Sequence, residues 1–377
     1  MQALLLSAYD AGSHAYWRRG LELMLPDFQW RSLTLPPRHF SWRVRGNPLY
    51  WAIEQRAVLE QPADLLVATS MVDLATLRGL VPALCRLPTL LYFHENQFAY
   101  PQGQSQHGLL EAQMVSLYSA LAADRIAFNS AYNRDSFLAG CDDLLQRLPD
   151  FVPPDVTRSL AQRAEVLAVP LLPERQAVDG QEPMWPEVAV QGAAPLRLVW
   201  VGRLEYDKGA DNLERILQHL ERAGLDYQLA VVGQEFRNRP AVFSRIETDY
   251  QHRLVHLGWI ESALDYQALL QQADMVLSTA LHEFQGIAVL EAVRSGCLPV
   301  VPRRLAYQEL YEAQFCYSSL PDDPAAEAAA ASETILILAA ALQEGRAQPP
   351  AVRAFSLESL APCYRRTFQA LLAQDGH

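Results

Sequence analysis

The chain has 377 residues, of which 50% are hydrophobic and 20% charged, and its formal net charge is −12. This length predicts two or three domains with sizeable cores, and the charged fraction is too low for a disordered protein. The acidic balance argues against a broad surface that binds nucleic acid.

The first part of the chain has short apolar runs with the length of buried strands, separated mostly by helix-like segments. They lie at 3–9, 64–70, 89–94, 125–130 and 165–170. This alternation predicts a doubly wound parallel sheet. No basic segment of a secretory signal precedes the first run, no run reaches the length of a membrane span, and the five cysteines lack metal-ligand spacing. We therefore expect a cytoplasmic protein with no membrane segment, no cofactor and no structural metal.

Two polar stretches follow predicted strands of this first sheet. Gly-Ser-His at 12–14 comes after the first strand, where a small polar loop at the carboxyl edge can approach a phosphate or a sugar. His-Glu-Asn-Gln at 94–97 follows a later strand, and four polar residues are many for a plain loop. The alternative is a solvated loop with a capping Asn, because polar loops at strand ends are common.

The segment RHFSWRVRGNPLYWA at 38–52 interleaves aromatic residues with Arg. Base stacking and phosphate pairing use these two residue types. Residues 11–56 hold seven Arg against three acids, a local balance of +4 in an acidic chain. The alternative is a helix that packs Trp42, Tyr50 and Trp51 into the core.

The second half repeats the strand and helix alternation. Apolar runs at 196–202, 227–233, 255–259, 274–279 and 298–302 predict a second doubly wound sheet. The proline-containing stretch 171–195 reads as a linker, and the amphipathic tail from 353 as a helix. The predicted organisation is a first domain at 1–170, the linker, a second domain at 196–352, and a tail helix at 353–377 that packs back on the first domain.

Lys208, in VGRLEYDKG at 201–209, is the single Lys of a chain with 31 Lys plus Arg residues. One Lys can survive a genome-wide preference for Arg by chance. A compact ammonium on a slim stem also fits a tight diphosphate pocket that excludes the wide fork of Arg. The loop follows the first strand of the second sheet, at the edge where such folds bind ligands.

A second element at 282–296, HEFQGIAVLEAVRSG, places Glu283 and Glu291 eight residues apart around Gly286. Eight residues are slightly over two helical turns, so Glu291 should point back toward the loop that carries Glu283. The amides of Gly286, Ile287 and Ala288 should form a helix N-terminus that attracts phosphate. The apolar neighbours of Glu291 predict a buried acid in need of a partner. Alone, Glu283 would read as an acid that satisfies the helix dipole.

The G-R…K loop with E-x7-E resembles the retaining GT-B glycosyltransferases of the glycogen-synthase-like group. The resemblance implies two facing Rossmann-like domains, an α/β fold with a C-terminal crossover helix, and metal-independent transfer from a nucleotide sugar. It implies diphosphate contacts for Arg203 and Lys208, sugar contacts for Glu283, and ribose contacts for Glu291. The donor site predicted in the second domain comprises Gly202, Arg203, Lys208, Glu283, Gly286, Ile287, Ala288 and Glu291.

Gly-Ser-His near the start, W-R-x-R-G-x-x-L-Y, F-H-E-N-Q-x-x-Y-P and H-E-F-Q-G-x-A-x-L-E-A together resemble the tRNA-queuosine α-mannosyltransferases. That resemblance implies transfer of mannose from GDP-mannose to the cyclopentenediol of queuosine in the anticodon of tRNA for aspartate. The catalytic residues it implies are His94, Glu283, Arg203 and Lys208. The first domain would add Gly12, Ser13 and His14 to the donor site, and Arg38, Arg43, Arg45, Glu95, Asn96 and Gln97 would contact the acceptor.

Two other functions remain open from the sequence. One is a GT-B enzyme that uses another nucleotide sugar and a lipid or glycan acceptor. The other is a non-catalytic RNA-binding protein on the same fold, against which the intact set of Arg203, Lys208, Glu283 and Glu291 argues. The oligomeric state is not determined by the sequence.

Overall fold

A computed structural model describes residues 1–99, 109–174, 184–186, 194–235 and 239–374. The chain forms two compact units, Met1–Leu172 with Phe355–His377, and Pro173–Ala354. Each unit is built on a parallel six-stranded sheet with flanking helices, in agreement with the predicted pair of doubly wound sheets.

The first sheet follows the predicted apolar runs and adds a strand that they do not indicate. In the described residues its strands are β1 Gln2–Ser7, β2 Gln29–Thr34, β3 Leu65–Thr69, β4 Thr89–Phe93, β5 Arg125–Phe128 and β6 Ala164–Val166. They lie in the order β2-β1-β3-β4-β5-β6. The chain passes from β1 to β2 at one edge of the sheet and then continues with β3 on the other side of β1. Strand β2 escapes the pattern because it is an edge strand, QWRSLT, without a fully buried residue.

Helices cover this sheet, and two of them carry the Gly-Ser-His stretch at 12–14 and most of the aromatic and Arg segment at 38–52. They are α1 Gly12–Met24, α2 Phe40–Glu54, α3 Arg56–Leu59, α4 Leu74–Leu80, α5 Leu109–Ala122, α6 Ala131–Gln146 and α7 Val156–Arg163. All residues of β3 and β4 are buried, which places the core of the unit around its central strands.

The second unit has the strand order of a dinucleotide-binding fold. Its strands in the described residues are β7 Leu196–Val201, β8 Tyr227–Val232, β9 Leu254–Gly258, β10 Met275–Leu277, β11 Leu298–Pro302 and β12 Cys316–Tyr317. They lie in the order β12-β11-β10-β7-β8-β9. The chain winds outward from β7 to β9 and then restarts on the other side of β7. The crevice between the loops after β7 and β10 is therefore the switch point, where open α/β sheets bind ligands.

In the described part of the second unit the helices are α8 Ala210–Arg222, α9 Ala241–Asp249, α10 Ala263–Gln272, α11 Ile287–Arg294, α12 Tyr307–Leu310 and α13 Pro324–Gln343. By length and composition α13 could cross a membrane, which corrects the expectation that no run of the chain reaches that length. In the structure α13 packs against α8 and β11. Its Glu327 is buried and paired with Arg304 and Asn212, as expected for a core helix of this unit.

The C-terminal helix, α14 Leu357–Gln374, belongs to the first unit and packs against α1. Tyr364, Phe368 and Leu371 of its apolar stripe are fully buried. Phe368 meets the ring of Phe28 at a centroid distance of 5.5 Å. The segment where the chain leaves the first unit lies beside the segment where it returns to that unit. The amide of Leu171 donates there to the carbonyl of Phe355 at 2.7 Å.

Part of the predicted linker packs on the second unit. Trp185 is fully buried, and its Nε1 donates to the carbonyl of Leu269 at 2.9 Å. The side chain of Gln228 donates to the carbonyl of Pro186 at 3.1 Å. The remaining linker positions at 175–183 and 187–193 lie outside the described residues.

Candidate active site

The loop after β7 is a tight turn that requires glycine. Gly202 follows the strand directly, and a short 3₁₀ helix at Tyr206–Lys208 leads to Gly209. Gly209 has φ +70°, and a Cβ there would lie 2.0 Å from the carbonyl oxygen of Thr279. Only glycine combines this left-handed conformation with so close an approach of two loops. The turn therefore places Lys208 against the loop that follows β10.

Lys208 joins these two loops at the switch point. Its Nζ donates to the carbonyl of His282 at 2.9 Å and to Oε2 of Glu283 at 3.1 Å. The ammonium also lies 3.5 Å from Oδ2 of Asp207, and only 13% of the Lys208 side chain is exposed. The carbonyl of Asp207 accepts in turn from the amides of Leu281 and His282. A planar Arg fork could not reproduce these contacts around a single nitrogen.

Lys208 and Glu283 form a charged pair. Burial alone would raise the pKa of Glu283, but the ammonium of Lys208 and backbone amides outweigh burial and lower this pKa to about 2. For Lys208, burial would lower the pKa, but the carboxylates of Glu283 and Asp207 raise it above its ordinary value. Both groups are therefore ionised at neutral pH.

Arg203 lies at the open side of this cluster. Its guanidinium contacts Glu205 at 2.7 Å and Asp207 at 3.0 Å, while 44% of the side chain remains exposed. A diphosphate could therefore approach Arg203 from solvent. Within the described ranges, no three or more His, Cys, Asp or Glu side chains are grouped so that they could hold a metal ion.

Gly286 begins α11 as the sequence predicts. Its φ is +74°, and a Cβ would lie 2.9 Å from the ring of Tyr307. No acid occupies the first turn of α11, and Ile287 and Ala288 are half-buried. Oε1 of Glu283 accepts from the amides of Phe284 and Gln285 just before this turn. The backbone donors before α11 are thus directed at the carboxylate of Glu283, which is the anion that this helix N-terminus holds in the structure.

Glu291 is half-buried, which corrects the prediction of a buried acid. Only one face of α11 packs into the core, through Val289, Leu290, Ala292 and Val293. The other face carries Glu291 beside Ile287 and Ala288. A carboxylate on this partly open face is accessible to a ribose hydroxyl.

In the first unit, His14 and His94 form a stacked pair. Their ring centroids are 4.0 Å apart, and their exposures are only 2% and 5%. Gly12, Ser13 and His14 form the first turn of α1 rather than the expected loop, with Gly12 and Ser13 exposed. Since His14 follows β1 and His94 follows β4, the fold itself brings together two histidines 80 residues apart.

Both imidazoles are neutral in the folded protein. Burial lowers the pKa of His14 to about 3. Burial, and to a lesser extent the neighbouring His14, holds the pKa of His94 well below its ordinary value. Near neutral pH, His94 can accept or donate a hydrogen bond but carries no positive charge.

Acid should destabilise the protein through His14. In the unfolded chain His14 takes up a proton near pH 6.5, whereas in the folded chain it does so only near pH 3. The free energy of unfolding therefore decreases as the pH falls below 6.5. Between pH 7 and 5 this loss should approach about 2 kcal/mol for one fully buried imidazole. The pH dependence of the melting temperature should be flatter in His14→Asn than in the wild type, with the exposed His252→Asn as control. Equal pH dependence in all three proteins would contradict this account.

Asn96 organises the loop at 94–97 from within. It is fully buried, and its Nδ2 donates to Asn133 and to Ser136. Its Oδ1 accepts from the amides of Phe98 and Ala99. These bonds occupy the whole amide, so we assign Asn96 a structural role in place of the predicted acceptor contact. Glu95 is half-buried and Gln97 is buried, while Tyr100 and Pro101 of the motif lie outside the described residues.

Two asparagines that the sequence analysis did not single out complete this network. Nδ2 of Asn129 donates to the carbonyl of His94 at 2.9 Å. Nδ2 of Asn133 donates to the carbonyl of Phe93 at 3.0 Å and to Oδ1 of Asn129 at 2.8 Å. The available signal was the Asn-Ser pair at 129–130, two polar residues at the end of the predicted run 125–130.

The aromatic and Arg segment at 38–52 forms most of α2, and some of its aromatic side chains are exposed while others are buried. Trp51 is buried, but Trp42 and Tyr50 are 57% and 46% exposed, which corrects the alternative in which all three pack inside. A Cβ at Gly46 would lie 2.4 Å from the indole of Trp42, so that ring rests against the helix backbone. Leu49 and Ile53 are also exposed. We call Trp42, Leu49, Tyr50 and Ile53 the outer face of α2.

The three predicted acceptor arginines differ in their surroundings. Arg38 is exposed just before α2, and the half-buried Arg43 donates from Nε to the carbonyl of Pro36 at 3.3 Å. Arg45 is paired with Asp73 and lies 3.1 Å from Glu111. Arg45 therefore has two carboxylate partners while 44% of its side chain stays exposed, so all three arginines remain predicted acceptor contacts, and Arg38 and Arg43 carry the least compensated charge.

The fold matches solved glycosyltransferases along the whole chain. Anabaena HepE in complex with UDP and glucose aligns with a TM-score of 0.66 at 14% identity, over 98% of this chain and 100% of that one. Sucrose-phosphate synthase from Thermosynechococcus elongatus aligns with a TM-score of 0.66 at 16% identity, over 99% of this chain and 100% of that one. With its two sheets and crossover helix, the protein is a GT-B glycosyltransferase.

Residues 2–171 match the family model of the tRNA-queuosine alpha-mannosyltransferase N-terminal domain, and residues 195–336 match glycosyl transferases group 1. The tRNA-queuosine alpha-mannosyltransferase of Drosophila melanogaster is 31% identical over 84% of this chain and 83% of its own length. The chain belongs to the tRNA-queuosine alpha-mannosyltransferase family. Glycogen synthase of Mycobacterium tuberculosis is 29% identical over 43% of this chain and 40% of its own length.

Proposed function

We propose that this protein transfers mannose from GDP-mannose to the cyclopentenediol of queuosine in the anticodon of tRNA for aspartate. The observation that carries the proposal is the ionised pair of Lys208 and Glu283 at the switch point of the second sheet, in a chain of this family. The pair sets a buried cation beside a carboxylate, which suits a diphosphate next to sugar hydroxyls. The reaction takes place in the cytoplasm.

The donor site supplies positive charge without a metal ion. Arg203, Lys208 and the amides at the start of α11 face the leaving diphosphate. Charge develops on this group as its bond to the sugar breaks, and fixed donors stabilise it there. Glu283 accepts from hydroxyls of the sugar, and Glu291 accepts from the ribose.

The reaction proceeds with retention through attack from the face of the leaving group. The bond between the anomeric carbon and the β-phosphate oxygen breaks, and a bond to the acceptor hydroxyl oxygen forms on the same face. The proton of that hydroxyl passes to the leaving GDP. Neutral His94 holds a hydroxyl by hydrogen bonding, without a positive charge that would oppose the cationic character of the sugar.

The acceptor is proposed to bind along the outer face of α2. The exposed rings of Trp42 and Tyr50 offer stacking surfaces for unpaired bases. Arg38 and Arg43 lie beside them as phosphate contacts, and the first turn of α2 has no acid. This arrangement concentrates positive charge on an otherwise acidic protein.

Charge reversal at Arg38 and Arg43 should abolish transfer to tRNA and leave hydrolysis of the donor intact, because neither arginine is among the proposed donor contacts and the diphosphate contacts Arg203 and Lys208 belong to the second unit. Two phosphate contacts contribute a slope of roughly −1.4 to −1.8 in log affinity against log salt. Binding of tRNA should therefore weaken between about 50 and 200 mM salt in the wild type and depend less on salt in Arg38→Glu/Arg43→Glu. Arg158→Glu, an exposed site on α7, is the matched control. A wild-type affinity insensitive to salt, or full modification by the double variant, would place the acceptor elsewhere.

The function is tested by incubating the protein with total tRNA and a panel of nucleotide sugars, followed by mass spectrometry of nucleosides. A hexose on queuosine with GDP-mannose alone is the expected result. Transfer from a UDP-sugar would overturn the donor assignment, and modification of lipid or glycan extracts alone would overturn the acceptor. Absence of donor hydrolysis and of transfer would favour a non-catalytic RNA-binding protein.

A further inference from the structure

The hydroxyl of Tyr364 on α14 is a buried junction between four parts of the first unit. It accepts from Nε1 of Trp17 at 2.9 Å and reaches the carbonyls of Ala168 and Leu167 at 3.0 and 3.3 Å. It also lies 3.4 Å from the hydroxyl of Tyr92, which donates to the carbonyl of Leu167 at 2.7 Å. One hydroxyl thus connects α14 with α1, β4 and the segment after β6.

The residues tied by Tyr364 enclose His94. Trp17 stacks on Tyr92 at a centroid distance of 4.1 Å. Both rings meet the imidazole of His94 edge-on, at 5.0 and 4.8 Å, and His14 stacks on it at 4.0 Å. His94 is therefore surrounded by aromatic rings whose positions depend on one hydrogen-bonded hydroxyl.

Hydrogen bonds do not orient the His94 ring in the part of the chain that the structure describes. Both of its ring nitrogens, and Nδ1 of His14, are buried there without a hydrogen-bond partner. A metal-free imidazole is usually oriented by a bond from one nitrogen. Among the described residues the surrounding rings set its orientation, so a small shift of Trp17 or Tyr92 is transmitted to it directly.

We propose that Tyr364 is a positioning residue for His94, and that the crossover helix thereby takes part in setting the geometry of the reaction centre. This inference rests on the proposed function, in which His94 holds a hydroxyl at that centre. Without the Tyr364 hydroxyl, Nε1 of Trp17 loses its acceptor and the carbonyl of Ala168 loses a donor, while the carbonyl of Leu167 keeps the hydroxyl of Tyr92. The stack of Trp17 and Tyr92 then relaxes and His94 turns from its productive orientation.

The test compares Tyr364→Phe with Thr367→Val in the full-length protein. Thr367 is a matched control because it lies on the same helix, is 4% exposed, and donates to Glu165 at 2.8 Å, away from the histidine pair. Tyr364→Phe should lower kcat by about tenfold to a hundredfold, since small misplacements of reacting groups cost this much. The KM for the donor should stay within about twofold of the wild type. Thr367→Val should keep the kcat of the wild type.

A second readout does not depend on the substrates. In protein labelled with ¹⁵N in the histidine rings, Tyr364→Phe should shift the imidazole resonances of His14 and His94, and Thr367→Val should not. If Tyr364→Phe does not fold, Tyr92→Phe removes the neighbouring hydroxyl of the same network, keeps every ring around His94, and should shift the same resonances. Unmoved resonances, or a kcat equal to that of Thr367→Val, would overturn the proposal. Failure of the wild type to modify tRNA would refute the proposed function while the resonances still test the role of Tyr364.

Discussion

Lys208→Ala should reduce kcat/KM for the nucleotide sugar by roughly tenfold to a hundredfold, the cost of one charge-assisted contact of about 1.5–3 kcal/mol. The reason is geometric as well as electrostatic. Lys208 is held by the carbonyl of His282 and the carboxylate of Glu283 at the switch point of the second sheet. Under the proposed function its loss removes a cation from the diphosphate, and in any case it leaves the carboxylates of Asp207 and Glu283 without this counter-charge. Hydrolysis or transfer kinetics with varied donor concentration measure the effect.

Lys208→Arg should also be impaired, although it keeps the charge. The side chain is largely buried, and a planar fork needs more width than the ammonium that fits between the two loops. Arg222→Ala, which removes an exposed cation of α8, is the control and should behave as the wild type. Full activity of Lys208→Arg would show that the identity of this single Lys is incidental.

Deletion of residues 355–377 should abolish soluble, active protein. The crossover helix buries Tyr364, Phe368 and Leu371 completely against the first unit. Each such side chain contributes about 1.5–3 kcal/mol by leaving water, and deletion also exposes Phe28 and Trp30, which Phe368 covers. Expression with separation of soluble and aggregated fractions measures the effect.

Deletion of residues 375–377 leaves α14 whole and serves as the control, which should remain soluble and active. Phe368→Ala should lie between the two, with a lower melting temperature but a folded chain, since a buried Phe truncated to Ala costs about 3–5 kcal/mol. A soluble and fully active deletion of 355–377 would falsify the stabilising role of this helix.

The architecture was predictable because apolar runs of strand length mark buried parallel strands wherever both faces of a sheet are covered. The run at 298–302 coincides with β11, and the other runs differ from their strands mainly at the ends. Strand β2 was not predictable in this way, because an edge strand needs no continuous apolar run. The position of Gly286 was equally readable, and it has the left-handed backbone that favours glycine.

The sequence allowed us to predict which residues belong to the candidate site, but not which of them contact each other. The sequence marks Lys208 and Glu283 as unusual, while their ion pair spans 75 residues and exists because β7 and β10 are neighbours in the sheet. The same limit explains Asn96, whose polarity suggested a contact with the acceptor. Its hydrogen bonds go instead to α6, which only the folded chain brings beside the loop.

Sequence alone was sufficient for the family resemblance, the two sheets, the crossover helix and the choice of the loop that carries Lys208, because these depend on local composition and spacing. Tertiary structure decided which charged and aromatic groups remain available. It paired Arg45 with Asp73 and Glu111, exposed Trp42 on α2, and enclosed His94 in rings held by Tyr364. The physical reason is that burial and charge pairing depend on which elements pack together across long stretches of chain, and no local pattern contains that information.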